Sequence, residues 1–288
     1  MAPYARLILP GNRATVSHKG GGGMSIMDKA DNVARQYANG KNLAIRSNFH
    51  AKYSTNRQGF APWLFEQYRF EAGDSILELG CGNGWQWDVR LGELPQRCKL
   101  VLSDFSQGMV DSVREKFSPV SADIDFRQID IQAIPYEDES FDAVIANHML
   151  YHVPDLDAAL SEVRRVLKPG GRFYAATNGN GGMSLFLHEA LKCFDPETEA
   201  FSQRFSFSLQ NGEALLSRYF SSVGQIDYDD SLAVIQTRDL IEWIDSSISI
   251  SGYSGAYADA LYDYFEAIRV RDGAINIPKE VGLFICER

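Results

Sequence analysis

Three glycines at alternate positions, Gly80, Gly82 and Gly84, follow the short apolar run Ser75-Ile76-Leu77-Glu78-Leu79. Alternate glycines let main chain approach a ligand with no Cβ in the way, and they accept positive φ. One acid, Glu78, stands two residues ahead of the first glycine. Two more acids close later apolar runs: Asp104, twenty residues past Gly84, and Asp130, followed at once by Ile131. His148, Tyr151 and His152 come directly after the run Phe141–Ala146. A glycine turn suits a nucleotide, an acid at a strand end suits ribose hydroxyls, and histidine moves protons near neutral pH.

The ligand follows from two details. A dinucleotide fingerprint that starts at Gly80 needs a third glycine at position 85, which is Trp85. Glu78 would also set a negative charge against a diphosphate. A carboxylate there suits a ligand with an ammonium and a sulfonium, which is S-adenosylmethionine. Asp104 then accepts from both ribose hydroxyls, each charge-assisted bond contributing about 1.5–3 kcal/mol. Asp130 faces the adenine amino group while Ile131 packs on the ring. His148 or His152 is the candidate general base, the alternative being that they shape the pocket or bond to backbone; His188 is a further candidate. His50 and His18 read as structural or disordered, and Cys81 as a packing residue. The sequence offers no metal site.

The elements that must position these residues alternate. Strands are expected at Ser75–Leu79, Lys99–Ser103, Ile124–Gln128, Phe141–Ala146 and Arg172–Ala176, with helices over about 85–94, 106–117 and 155–167 between them. The last helix places Leu156, Ala159, Leu160, Val163 and Leu167 at helical spacing and stops at Lys168-Pro169-Gly170-Gly171. Alternation of this kind predicts an α/β fold: a Rossmann-like, doubly wound, mostly parallel sheet with the ligand at the carboxyl ends of its strands. N-terminal helices are expected at 28–39, stopped by Asn39-Gly40, and at 57–69. Residues 211–220 read as a helix, 223–235 as a strand, and Glu280–Cys286 as a final strand. The division is a disordered leader over 1–23, an N-terminal helical segment over 24–69 and the cofactor-binding core over 70–179. A helical cap covers 180–208 and 237–272, and the rest of the sheet domain covers 209–236 and 273–288. The leader ends in Gly20-Gly21-Gly22-Gly23, and Met24 reads as the natural start.

Composition narrows the function. With 28 basic and 38 acidic residues the net charge is −10, which repels a phosphate backbone and argues against a nucleic-acid partner. Four scattered cysteines and no membrane-length apolar run predict a reducing, cytoplasmic setting with no membrane partner. The cap is rich in Phe and Tyr, which favours a small hydrophobic acceptor and carbon or oxygen methylation. Aromatic faces would stabilise a cation formed by attack from carbon. The N-terminal helices are candidates for a homo-oligomer contact.

The ordered set Ile76–Gly84, Asp104-Phe105-Ser106, Asp130-Ile131, Asn147–Val153 and Leu167–Gly171 resembles the class I S-adenosylmethionine-dependent methyltransferases. It is most similar to their small-molecule branch, which includes ubiquinone and menaquinone biosynthesis enzymes. The resemblance spans about residues 70–178. It implies that Gly80, Gly82 and Gly84 line the methionine moiety, with Glu78 helping to hold it. Asp104 takes the ribose, Phe105 flanks the adenine, Asp130 and Ile131 take its edge and face, and Asn147 closes over the cofactor near sulfur. An N-terminal tyrosine, Tyr37 in preference to Tyr53, matches the one that reaches the methionine carboxylate in many relatives. A nucleic-acid methyltransferase shares this cofactor and an NAD(P)-dependent oxidoreductase shares the fold. Charge disfavours the first; Trp85 and Glu78 disfavour the second.

Overall fold

The computed structural model describes residues 40–288 apart from 89, 121 and 122. Its centre is a seven-stranded sheet in the order β3-β2-β1-β4-β5-β9-β6. The strands are β1 (Ser75–Leu79), β2 (Lys99–Asp104), β3 (Ile124–Gln128), β4 (Phe141–Ile145), β5 (Leu167–Asn178), β6 (Ser222–Asp227) and β9 (Val281–Glu287). β1 to β5 pair in parallel, whereas β9 runs antiparallel to both β5 and β6. β1 is buried along nearly its whole length, as parallel strands covered on both faces must be. The strand order turns back at β1, which lies between β2 and β4, so the glycine turn after β1 opens at the switch point.

Helices cover both faces. α3 (Gln107–Phe117) buries Val110, Val113 and Phe117, and α4 (Leu156–Val166) buries Ala159, Leu160, Val163 and Val166. α4 starts where sequence places it because the Asp155 carboxylate accepts from the Ala158 N–H at 2.9 Å. One core cluster joins α4 to Leu77, Val144 and Phe173; the other joins Trp63, Trp87 and Phe117 to Ile76, Leu102 and Ile145.

A third cluster is the core of the cap. It gathers α1 (Gly40–Tyr53), α5 (Met183–Leu191), α7 (Thr237–Ser246) and α9 (Ala258–Asp272) around β7 (Ser231–Val234) and β8 (Ile275–Pro278), an antiparallel pair apart from the main sheet. Short helices α6 (Gly212–Leu216) and α8 (Ile248–Ser251) complete the chain with α2 (Phe60–Gln67), which packs on the sheet through Trp63 and Leu64.

Several expectations need correction. The expected helix over 85–94 is two 3₁₀ turns, Trp85–Trp87 and Leu91–Glu93, because the loop's Gly84 enters it in a left-handed conformation. Residues Gly40–Tyr53 are helical, α1, where no helix is expected, because Phe49 and Tyr53 pack into the core of the cap. The expected strand 223–235 is two strands in two different sheets, and residues 275–278 pair within the cap. The expected helix 28–39, the leader and Met24 lie outside the described residues.

Candidate active site

The loop after β1 is built by its glycines, each for a different reason. Gly80, Gly82 and Gly84 have φ of 72°, 55° and 69°. A Cβ on Gly80 would come within 2.8 Å of the Met149 side chain, and one on Gly84 within 2.5 Å of Phe117. A Cβ on Gly82 would meet nothing within 4 Å. Gly80 and Gly84 thus serve packing, whereas the Cβ side of Gly82 is open. Lys116 at the end of α3 donates to the Asn83 carbonyl at 3.1 Å and pins the loop's crest.

Asp104, at the carboxyl end of β2, shares this opening. Its Oδ2 accepts from the Gly82 N–H at 3.0 Å and its Oδ1 from the Ser106 N–H at 2.8 Å. Burial pushes the carboxyl upward and the two backbone donors partly offset that. Each oxygen keeps a lone pair, so the group presents a fixed pair of acceptors. Phe105 beside it is 54% exposed, free to cover a flat ring.

Asp130 lies after β3, with Oδ1 accepting from the Gln132 N–H at 2.9 Å and from Gln132 Nε2 at 3.0 Å. Gln132 in turn accepts from the Asp155 N–H at 3.2 Å, so the acid is tied to the start of α4. Ile131 is buried in the core cluster on the α4 face of the sheet.

Glu78 differs most from expectation. Its carboxylate is not open at the mouth of β1: the residue is 2% exposed. Gln86 Nε2 donates to its Oε1 at 2.6 Å and Trp87 Nε1 to its Oε2 at 2.5 Å. Burial pushes its pKa up to about 7, against the pull of these two donors. The network continues inward. Asn147 Nδ2 donates to Gln86 Oε1 and to Tyr68 Oη, both at 2.7 Å, while Asn147 Oδ1 accepts from the Ala176 N–H at 3.1 Å. Asn147 is therefore a buried strut joining β4, β5 and the loop, where a cover over the sulfur was expected. Gln86, Trp87 and Tyr68 complete the network and were missed. A buried polar pair in a Trp-Gln-Trp run is the signal that marks them, since buried polar groups need partners.

The histidines separate. His148 sits at the end of β4 with φ 55°, its ring 5.3 Å from Phe60. His152 lies in a 3₁₀ turn against Tyr151, ring centroids 4.6 Å apart. Burial lowers both to about 4, with the charges of Lys279 and His152 adding to the effect on His148. Both are neutral at pH 7 and able to accept a proton. His188 is held in the cap, its Nδ1 2.8 Å from the Ala200 carbonyl. Tyr53 donates to Asp239 at 2.6 Å and ties α1 to α7, away from the loop; Tyr37 lies outside the described residues. Cys81 is buried and free, as its packing role requires. Among the described residues no group of three or more His, Cys, Asp or Glu is placed to hold a metal ion, and no helix is long and apolar enough to cross a membrane.

Fold and loop together define a class, that of Rossmann-like α/β domains with a glycine turn at the switch point of the sheet. Residues 77–175 match the family described as a methyltransferase domain. The chain is 33% identical over 118 residues to a demethylmenaquinone methyltransferase of Lactobacillus johnsonii, covering 40% of this chain and 48% of that protein. It is 30% identical over 165 residues to a ubiquinone/menaquinone biosynthesis C-methyltransferase of Geobacter sulfurreducens, covering 56% and 57%. The chain thus spans about half the length of these curated relatives. Among solved structures, the YcgJ protein of Bacillus subtilis shares the fold, with a TM-score of 0.56 at 17% identity over 79% of this chain and 97% of that one.

Proposed function

We propose that this protein transfers the methyl group of S-adenosylmethionine to a small, largely apolar organic acceptor bound between the sheet and the cap. The carrying observation is the Asp104 carboxylate, held by the Gly82 and Ser106 N–H groups beside a glycine whose Cβ side is open. A ribose diol needs two acceptors in fixed geometry, and this pair supplies them. The residues fit the cofactor further: Phe105 offers an exposed ring for adenine, and Gly80–Gly84 offers backbone to the amino-acid end. In its ionised form Glu78 favours an ammonium through the loop, with Gln86 and Trp87 between.

When bound, the cofactor supplies an electrophilic methyl on a positive sulfur. The chain's task is to align the acceptor and exclude water, effects that together contribute about 7–11 kcal/mol in well-oriented systems. His148 and His152, neutral in the folded protein, take a proton when the acceptor must lose one. Carbon or oxygen is the methylated atom in this reading, and the relative named as a C-methyltransferase supports carbon. Net charge of −10 supports a small acceptor over nucleic acid, and the free cysteines support a cytoplasmic setting. A homo-oligomer formed through the N-terminal helices is part of the same reading and is checked by light scattering.

Calorimetric titration with S-adenosylmethionine, its demethylated product and NAD tests the assignment. Binding of the first two and not of NAD is expected. No heat from either adenosyl ligand at millimolar concentration overturns it.

A further inference from the structure

The chain passes from cap to sheet along a strap, Ser54–Gly59, that joins α1 to α2. One buried carboxylate holds it. Asp230, on the link between β6 and β7, accepts from the Ser54 hydroxyl at 2.8 and 2.9 Å and from the N–H groups of Thr55 and Asn56, each at 3.1 Å. Lys279, on the turn between β8 and β9, forms an ion pair with the same carboxylate. The link also reaches the far end of the strap, because the Tyr228 ring lies 5.2 Å from Phe60 and 5.1 Å from Trp63 of α2. Beyond Asn56 the bonding turns local, with the Gln58 N–H on Asn56 Oδ1 at 3.0 Å. Gly59 then has φ 82° and ψ 150°, a conformation in practice restricted to glycine.

What the strap positions is Phe60, the first residue of α2. Its ring stacks on Trp85 at 6.1 Å and 16° and lies 5.3 Å from that of His148. Trp85 follows Gly84 directly, so Phe60 rests on the end of the glycine loop and on the loop after β4 at once. The parts on either side of the strap are fixed. α1 stays with the cap: Tyr53 donates to Asp239 at 2.6 Å and Arg46 to the Ser246 carbonyl at 2.8 Å. His50 lies edge-on to Trp243 of α7, where His50 Nδ1 and Trp243 Nε1 are buried without a hydrogen-bond partner among the described residues. The crossing after β5 is locked by packing as well as by bonds. There the Gly179 N–H donates to the Glu280 carbonyl at 2.8 Å and the Gly181 N–H to its carboxylate at 2.7 Å, and a Cβ on either glycine would collide with the Glu280 side chain. By contrast the strap has a single isolated bridge, Ser54 to Leu232, besides its bonds to Asp230 and Ser231. Segments held by few bonds at the end of a mobile link open before the core does.

We propose that Asp230 is the latch of a gate: the strap Ser54–Gly59 leaves it and turns about Gly59, carrying Phe60 off Trp85 and opening the loop after β1 for the cofactor to enter and leave. This rests on the reading of that loop as the cofactor site. Asp230 touches no ligand in this scheme; it is a positioning residue that acts through the strap and Phe60.

The test uses the full chain with the demethylated cofactor, S-adenosylhomocysteine, as probe. Amide exchange in the free protein is read at Asn56, whose N–H is held by Asp230, and at Val144 in the buried centre of β4. Asn56 is expected to exchange about a hundredfold faster than Val144, and saturating S-adenosylhomocysteine to slow it about tenfold or more. Asp230→Asn keeps one acceptor oxygen in place. It is expected to speed both association and dissociation of S-adenosylhomocysteine about tenfold, followed by tryptophan fluorescence in stopped flow, with Kd nearly unchanged. A gate moves both rates together, whereas a residue that only supports the bound state moves dissociation alone. Asn56 exchange no faster than that of Val144, exchange that the ligand does not slow, unchanged rates, or faster dissociation with association unaltered overturns the proposal. If Asp230→Asn does not fold, Ser54→Ala, which removes one donor from the latch, is read in the same way. Failure of S-adenosylhomocysteine to bind removes the cofactor reading, while Asn56 exchange in the free chain still decides whether the strap opens.

Discussion

Replacing Asp104 by alanine tests the cofactor site most directly. Its carboxylate has about four lone-pair positions, of which the Gly82 and Ser106 N–H groups occupy two. Two remain for the two ribose hydroxyls. Two charge-assisted bonds of about 1.5–3 kcal/mol each give a ceiling of about 3–6 kcal/mol. Asp104 is half-buried, so water recovers part of this and the lower end applies. At 1.4 kcal/mol per decade, affinity for S-adenosylmethionine should fall about 10²-fold. The stability effect runs the other way. Burial raises the folded pKa of this acid, so its stabilising influence is full at low pH and fades as pH rises through the folded pKa. At neutral pH the buried charge opposes folding, and its removal offsets the two lost backbone bonds. Calorimetry and a melting curve on the same sample check both halves. Unchanged cofactor affinity, with the fold intact, refutes the ribose assignment. A collapse of Tm with affinity preserved in the folded fraction would show that Asp104 merely braces the loop.

The other expectations follow the same logic. Gly82→Ala should weaken cofactor binding with a modest loss of Tm, whereas Gly84→Ala, whose Cβ meets Phe117, should lower Tm far more; equal effects on Tm would contradict the separate roles. Glu78 has a folded pKa raised to about 7, so the stability it confers is complete below about 4.5 and lost as pH rises through 7. The Tm advantage of wild type over Glu78→Gln should therefore shrink across that window, and a constant gap would show that the carboxyl is not buried in solution. For His148 and His152, lowered to about 4, turnover that needs a free imidazole should be flat from about pH 5 to 8 and fall only below. A midpoint near 6.5 would place the base on an exposed histidine instead. His148→Ala and His152→Ala should both retain activity if the methyl goes to carbon without prior loss of a proton.

Why the glycine loop and the strand-end acids were legible as one cluster is a matter of topology. Gly80, Gly82, Gly84, Asp104 and Asp130 all fall at strand ends, and a doubly wound sheet brings strand ends together by its topology alone. Apolar runs fixed the strands because both faces of a parallel strand are buried. What pattern could not show is the direction of a side chain in the turn. Glu78 lies on β1, where alternation permits either face, and only the partners Gln86 and Trp87 reveal that it points inward. The helix α1 shows the same limit: its packing partners lie two hundred residues away, as Arg46 bonds to the Ser246 carbonyl, so no local pattern announces it.

The junction of cap and sheet is harder to read. Its ring contacts come from α1, α2, the end of β4, the link between β6 and β7, α7 and the turn after β8, six separate stretches that no motif joins. Each residue taken singly has an ordinary explanation: His50 as a core histidine, Trp243 as packing, Lys279 as a solvated charge. Only their assembly leaves two buried nitrogens without partners and a histidine held at positive φ. The cap has its own core, so its helices can vary without disturbing the sheet that carries the glycine loop. On the proposed function, the cofactor site is a property of the sheet's topology, and the choice of acceptor a property of how the cap is seated on it. It follows that variants at the α1–α7 contact, such as loss of the Tyr53–Asp239 bond, should change acceptor affinity while leaving that for the cofactor intact.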